Sequence, residues 1–135
     1  MRTILIVDDD AIVRRNLSAL LSQSSYEMDQ AADGVEALEK LNHRAFDLVL
    51  SDIVMPRMDG LALFEQIGSR WPGTRIIAMT GYFQSDGASR FIAAGAHDFI
   101  GKPVMLDELL SKIEHVLESE EGVVEQSFET PTKSR

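Results

Sequence analysis

Asp8, Asp9 and Asp10 stand in a row near the start of the sequence, and Asp52, Thr80 and Lys102 follow far along it, each beside a run of apolar residues. Brought together, these side chains suit phosphoryl transfer. That chemistry needs an in-line nucleophile, a metal ion on the phosphoryl oxygens, and further donors or positive charge, more than it needs elaborate covalent machinery. Asp52 is the candidate nucleophile, Thr80 can donate its hydroxyl hydrogen to a phosphoryl oxygen, and Lys102 supplies a point charge able to follow the transferred group. Carboxylates packed together repel and drift toward neutrality unless a cation compensates them. Mg2+ answers that problem, because it favours oxygen ligands in near-octahedral array and commonly takes one or two carboxylates plus phosphate oxygens. Asp8, Asp9 and Asp52 are therefore the candidate metal ligands.

Such a site exists only if distant segments reach one edge of the fold. Ile4, Leu5, Ile6 and Val7 form a short apolar run closed by the aspartates, as expected of a strand covered on both faces. Further strands are expected at residues 27–31, 47–50, 75–79 and 98–100, the first of these with a mixed alternation. Between them the apolar spacing becomes helical, as in Ile12, Val13, Leu17, Leu20 and Leu21, or Leu106, Leu109, Leu110, Ile113 and Leu117. Strand and helix alternate throughout, which predicts right-handed crossovers and an α/β fold, a doubly wound five-stranded parallel sheet with helices on both faces. Gly34, Gly60, Gly73 and Gly95 punctuate the elements as turn or cap residues. Ligands of such sheets bind outside the carboxyl ends of the strands, which is where Asp8, Asp9, Asp52, Thr80 and Lys102 fall.

Composition narrows the function further. The chain has 135 residues, enough for one core, with 44% hydrophobic and 26% charged residues. Its 22 acidic residues outnumber 13 basic ones, and the resulting charge of -9 repels nucleic acid and anionic membrane surfaces, so no direct nucleic acid binding and no membrane association are expected. No apolar run approaches the roughly 20 residues of a membrane helix, and Met1, Arg2 and Thr3 lead straight into a strand-like segment, so a cytoplasmic location is expected. The absence of cysteine excludes disulfides and thiol chemistry. The hydrophobic period ends at Glu118, which predicts one domain over residues 1–118 and a polar stretch at 119–135 that is a disordered tail or the start of a linker.

In combination these segments resemble bacterial response-regulator receiver domains of two-component signalling, the CheY-like family, over residues 2–117. Ile4 to Asp10 is similar to the family's first strand and acidic pair, Ser51 to Gly60 to its phosphorylation loop, Met79-Thr80-Gly81 to its switch segment, and Phe99 to Pro103 to its aromatic and lysine segment. The resemblance implies a flavodoxin-like strand order 2-1-3-4-5 and Asp52 as phosphoacceptor. It implies Asp9 and Asp52 as direct Mg2+ ligands, Asp8 acting through water, and the Val54 backbone carbonyl as a further ligand. Thr80 and Phe99 become the switch pair, and a cis Lys102–Pro103 bond is implied. The implied partners are a histidine kinase or histidine phosphotransfer protein upstream, and a downstream protein target or fused output domain, with room for a phosphorylation-dependent dimer. On this reading the chain is a signalling phosphoacceptor that assists its own phosphorylation and dephosphorylation, not an enzyme. Val54 and Tyr82 depart from the commonest family pattern and bear on how long the phosphorylated state lasts.

Each motif also has a plainer reading. Asp8-Asp9-Asp10 alone is a helix cap, Lys102-Pro103 a turn, and Phe99 a core residue. His43, His97 and His115 lie in unrelated segments and are read as surface or structural. Two other functions compete. A haloacid-dehalogenase-like phosphatase would use Asp8 as its nucleophile, but it leaves Asp52 unexplained. A flavodoxin-like electron carrier would place a flavin phosphate where three aspartates repel it.

Overall fold

The computed structural model describes residues 1–81 and 87–118, with the backbone alone at 87–89; Tyr82 and the stretch 119–135 lie outside the described residues. Strands and helices alternate as β1 (Arg2–Val7), α1 (Ala11–Leu21), β2 (Tyr26–Ala31), α2 (Gly34–His43), β3 (Leu48–Asp52), α3 (Gly60–Arg70), β4 (Arg75–Thr80), α4 (Gly87–Ala93), β5 (Asp98–Gly101) and α5 (Leu106–Glu118). The strands form one parallel sheet in the order β2-β1-β3-β4-β5, the order the resemblance implied.

Alternate residues of the central strands feed opposite cores. Ile4, Ile6, Leu48, Leu50, Ile77 and Met79 face Leu17 and Leu21 of α1 and Leu109, Ile113 and Val116 of α5. Leu5, Val7, Val49, Ile76 and Ala78 face Ala37 and Leu41 of α2, Leu63, Phe64 and Ile67 of α3, and Phe91 of α4. Covering on both sides is why β1 and β3 carry uninterrupted apolar runs. At the edge, among the described residues β2 pairs only with β1 and exposes part of most of its side chains, which explains its mixed alternation.

Helix starts and stops follow from side-chain chemistry. Asp10, Asp33 and Asp59 each accept a backbone N–H in the first turn of α1, α2 and α3, from Ile12, Glu36 and Ala62, all at 2.9 Å. At the end of α4, Ala96 N–H donates to the Phe91 carbonyl at 2.9 Å and Gly95 takes a φ of 119°, a left-handed stop that glycine adopts without steric cost. His97 has a structural role: its N–H donates to the Ile76 carbonyl and its Nδ1 accepts the Ile76 N–H at 3.1 Å. Burial and the neighbouring Arg75 charge hold this imidazole below its usual pKa, so the accepting neutral form is favoured. Among the described residues no helix is long and apolar enough to cross a membrane.

The parallel register decides where chemistry can occur. Val7 pairs with Ser51, Asp52 with Met79, and Thr80 with Gly101, so four strands end within a residue or two of one line. Asp8, Asp52, Thr80 and Lys102 all lie on that line, at the carboxyl edge of the sheet.

Candidate functional site

Asp8 is the first residue beyond β1 and is only 1% exposed. Its backbone is held by its N–H to the Ala31 carbonyl at 3.2 Å and by an Arg14 guanidinium nitrogen donating to its carbonyl at 2.5 Å. Oδ1 of its side chain accepts the Asp10 N–H at 2.9 Å. A carboxylate buried this deeply must be paired, and Lys102 Nζ stands 3.2 Å from its Oδ2. The same ammonium lies 3.3 Å from Oδ2 of Asp52, the last residue of β3, whose Oδ1 accepts the Ile53 N–H at 2.8 Å. Lys102 thus bridges two carboxylates far from it in sequence. Asp10 turns away to cap α1, which divides the aspartate run into two site residues and one cap.

Asp8, Asp9 and Asp52 each bring a carboxylate oxygen to within 4.8 Å of the others. Asp9 is the exposed member and opens the bay to solvent. Three carboxylates against one ammonium leave an excess of about two negative charges. Burial pushes the Asp52 carboxyl above its ordinary pKa, and the Asp8 charge adds to the rise against the opposing pull of Lys102 and the Ile53 N–H. For Lys102 burial acts in the lowering direction, but the charges of Asp52 and Asp8 outweigh it and hold the ammonium above its usual value. A small, hard divalent cation matches both the oxygen donors and the missing charge.

Thr80 is buried at the end of β4, and its carbonyl accepts the Lys102 N–H at 2.8 Å. The Lys102–Pro103 bond is cis, as the resemblance implied. Phe99 lies apart from the bay on edge strand β5, half-buried against the α2–α3–α4 core. Lys112 Nζ is 5.6 Å from its ring centroid and 3.4 Å from Asp98. Val54 sits two residues past Asp52 and is 81% exposed.

Five residues of the surroundings, Asp33, Gly34, Arg57, Met58 and Gly60, were not singled out as a group by sequence reasoning. The loop from Ile53 to Asp59 is closed by the Gly60 N–H, which donates to the Ile53 carbonyl at 2.6 Å. Gly60 permits this closure, because a Cβ there would stand 2.7 Å from the Asp52 carbonyl oxygen and 2.7 Å from Ile53 Cα. Arg57 holds a left-handed φ of 69°, and its Nε and one terminal nitrogen reach Asp33 Oδ2 at 2.9 and 2.7 Å. Beside it Met58 packs on Gly34, where a Cβ would come within 2.9 Å of the methionine Cβ. The glycines were visible as punctuation, but their role as close-approach points is a property of the tertiary fold.

A family profile described as the response regulator receiver domain matches residues 4–114. The curated protein response regulator MprA from Mycobacterium sp. (strain KMS) is 39% identical over 117 residues, covering 84% of this chain and 50% of that protein. The chain therefore spans about half the length of the curated relatives it matches. Among solved structures, the Vibrio cholerae chemotaxis protein CheY4 superposes with a TM-score of 0.81 at 32% identity, covering 86% of this chain and 98% of that one. A CheY-like response regulator receiver domain protein from Methanospirillum hungatei JF-1 superposes with a TM-score of 0.82 at 36% identity, covering 87% and 94%.

Proposed function

Since the chain belongs to the response regulator receiver domain family, the phosphoacceptor module of two-component signalling, we propose that Asp52 is its acceptor and that Asp8, Asp9, Thr80 and Lys102 complete the site. The observation that carries this reading is the Lys102 ammonium, held between the Asp8 and Asp52 carboxylates. A phosphatase using Asp8 leaves Asp52 unexplained, a flavin carrier would set its phosphate against the carboxylates, and neither finds support among the relatives.

Asp9 and Asp52 would hold Mg2+ directly, Asp8 through water, and the Val54 carbonyl would add a ligand; the ion would neutralise charge on the phosphoryl oxygens. The chain's own groups perform the rest. An Asp52 carboxylate oxygen attacks phosphorus as the bond to the donor's leaving group breaks, and the leaving group departs with that bonding pair. Lys102 then follows the new charge, and the Thr80 hydroxyl donates to a phosphoryl oxygen. Thr80 and Phe99 would shift together, altering the surface of α4, β5 and α5 that a target or fused output domain reads. The donor, a histidine kinase or phosphotransfer protein, would dock at the start of α1, where Ile12 is exposed beside the acidic bay. On this reading residues 1–118 are the receiver, this domain works in the cytoplasm, and the domain itself binds neither nucleic acid nor membrane.

The test is incubation with Mg2+ and acetyl phosphate, which should add one phosphoryl group, mapped to Asp52 by peptide mass spectrometry. A phosphoryl group on Asp8 would transfer the reading to the phosphatase class. Asp9→Ala should weaken Mg2+ binding by at least about tenfold in a calorimetric titration, a loss of ~1.4 kcal/mol for one charged ligand; unchanged affinity removes Asp9 from the metal site.

Hydrolysis of the phosphorylated state needs a water held in line behind phosphorus, and the apolar Val54 side chain offers no hydrogen bond to orient it. Val54→Asn should therefore speed loss of phosphate, with about tenfold corresponding to ~1.4 kcal/mol of barrier. Decay in Mg2+ buffer measures it, and an unchanged or longer half-life rejects the role. Tyr82, the other side chain expected to crowd that water, lies outside the described residues.

A further inference from the structure

We propose that Asp33 and Arg57 form a clamp that positions the acceptor loop over the acidic bay, making Arg57 a positioning residue for metal binding and phosphoryl transfer. The inference rests on Asp52 being the acceptor and deepens that reading to residues outside the bay.

Conformational cost points first to a role. Arg57 adopts a φ of 69°, where glycine is the unstrained residue. The Met58 N–H closes a γ-turn on the Pro56 carbonyl at 2.8 Å around this residue, and the Arg57 Nε and terminal nitrogen, both meeting Asp33 Oδ2, fix where that strained turn sits. The partner is itself anchored. Asp33 is buried at the start of α2, and its Oδ1 accepts the Glu36 N–H at 2.9 Å, so its two oxygens divide between helix and loop. Although burial acts to raise the Asp33 carboxyl, the Glu36 N–H and Arg57 outweigh it and hold it below its usual pKa, as expected of a carboxylate committed to both bonds.

A second contact fixes the same place. Met58 packs on Gly34 closely enough that a Cβ there would require the methionine to move. Through these contacts the outer turn of the loop is tied to the rigid end of α2. Its inner end is tied by the Ile53 N–H to Asp52 and by the Gly60 N–H to the Ile53 carbonyl. Val54 lies between the two anchorages, and its carbonyl is among the ligands proposed above. Releasing the outer anchorage frees the segment that carries it, without removing any group that touches the metal or the phosphoryl group.

The experiment compares Mg2+ titrations of the wild type, Arg57→Gly, Asp33→Asn and the double variant, with thermal unfolding in parallel. Asn caps a helix as well as Asp, so Asp33→Asn keeps the α2 cap while removing the charge, and glycine accepts the Arg57 backbone without strain. Loss of groups that merely orient metal ligands costs about 10–100-fold in affinity, so one step further out each single variant should lose about three- to tenfold. The double variant should be no worse than the poorer single one, because both break one interaction. Arg57→Lys should recover part of the loss. Phosphorylation by acetyl phosphate should slow at low Mg2+ and return to the wild-type rate at saturating Mg2+. A purely structural pair would instead lower the melting temperature in step with affinity, whereas Arg57→Gly should melt at or above the wild-type temperature. Single variants within about twofold of wild-type affinity, or losses that add in the double variant, overturn the clamp. Failure of the wild type to take phosphate on Asp52 would defeat the acceptor reading instead, and the Mg2+ titration judges the clamp without any phosphodonor.

Discussion

Asp52→Asn should reduce phosphoryl incorporation from acetyl phosphate below detection and, in metal-free buffer at neutral pH, make the protein more stable than the wild type. The first effect is the loss of the nucleophile, since an amide oxygen does not form the acyl phosphate. The second follows from the bay's charge. Asparagine keeps the shape and the oxygen that accepts the Ile53 N–H, but it removes one of the two carboxylates that share the Lys102 ammonium, beside the further charge of Asp9. Because burial and Asp8 raise the Asp52 pKa in the folded state, its ionisation costs stability. That penalty begins where the unfolded carboxyl ionises, near pH 3.9, and is complete above the raised native pKa. The advantage of Asp52→Asn should therefore be present at neutral pH and vanish as pH falls to about 4, a profile that denaturant unfolding at several pH values records. Mg2+ should reverse the order. At a hundred times its dissociation constant the ion stabilises the wild type by about 2.7 kcal/mol, and the variant, with one ligand charge fewer, should gain less. A variant that still acquires a stoichiometric phosphoryl group, or one less stable than the wild type without metal, contradicts this account of the bay.

The bay was legible in the sequence because strand ends are legible. An apolar run such as residues 4–7 announces both a buried strand and the place where its polar successor must emerge, and four such runs placed Asp8, Asp52, Thr80 and Lys102 on one edge. Boundaries set by hydrogen bonding were less visible. Arg2 and Thr3 belong to β1 because they pair with Tyr26 and Glu27, although neither is apolar, and Asp52 remains within β3 through its pairing with Met79. The run of three aspartates did not disclose its division of labour, since any of them can cap a helix; only the path of the chain sends Asp10 to Ile12 and leaves Asp8 facing Lys102. The Asp33–Arg57 pair was not legible at all. Its members are ordinary surface types 24 positions apart, and a left-handed arginine carries no local signature.

Gly60→Ala should destabilise the domain by about 1–3 kcal/mol, the usual cost of forcing extra volume into a packed site, and should slow phosphorylation as well. Helix propensity alone predicts the opposite sign, because alanine in a helix is favoured over glycine by roughly 0.5–1 kcal/mol. What decides the contest is the rigidity of the neighbours. The new methyl group would stand 2.7 Å from the Asp52 carbonyl oxygen and from Ile53 Cα, both backbone atoms of the acceptor segment, which cannot rotate away as a side chain can. Relief requires α3 and the acceptor loop to separate, lengthening the Gly60–Ile53 hydrogen bond and turning the Ile53 N–H that holds Asp52 Oδ1. The same helix supplies the control. Gly68 has nothing within 4 Å of its added Cβ, so Gly68→Ala should stabilise by about 0.5–1 kcal/mol. Gly34→Ala should fall between them, because Met58 Cγ and Sδ, two of the atoms it meets, can rotate away, whereas Met58 Cβ at 2.9 Å moves only with its backbone. At roughly 3–5 °C of melting temperature per kcal/mol for a domain of this size, thermal unfolding resolves the three variants. Acetyl phosphate labelling then separates acceptor displacement from simple instability, since Gly60→Ala should be slow even well below its melting temperature. If Gly60→Ala melts with Gly68→Ala and phosphorylates at the wild-type rate, the close approach of α3 to the acceptor does not govern the site.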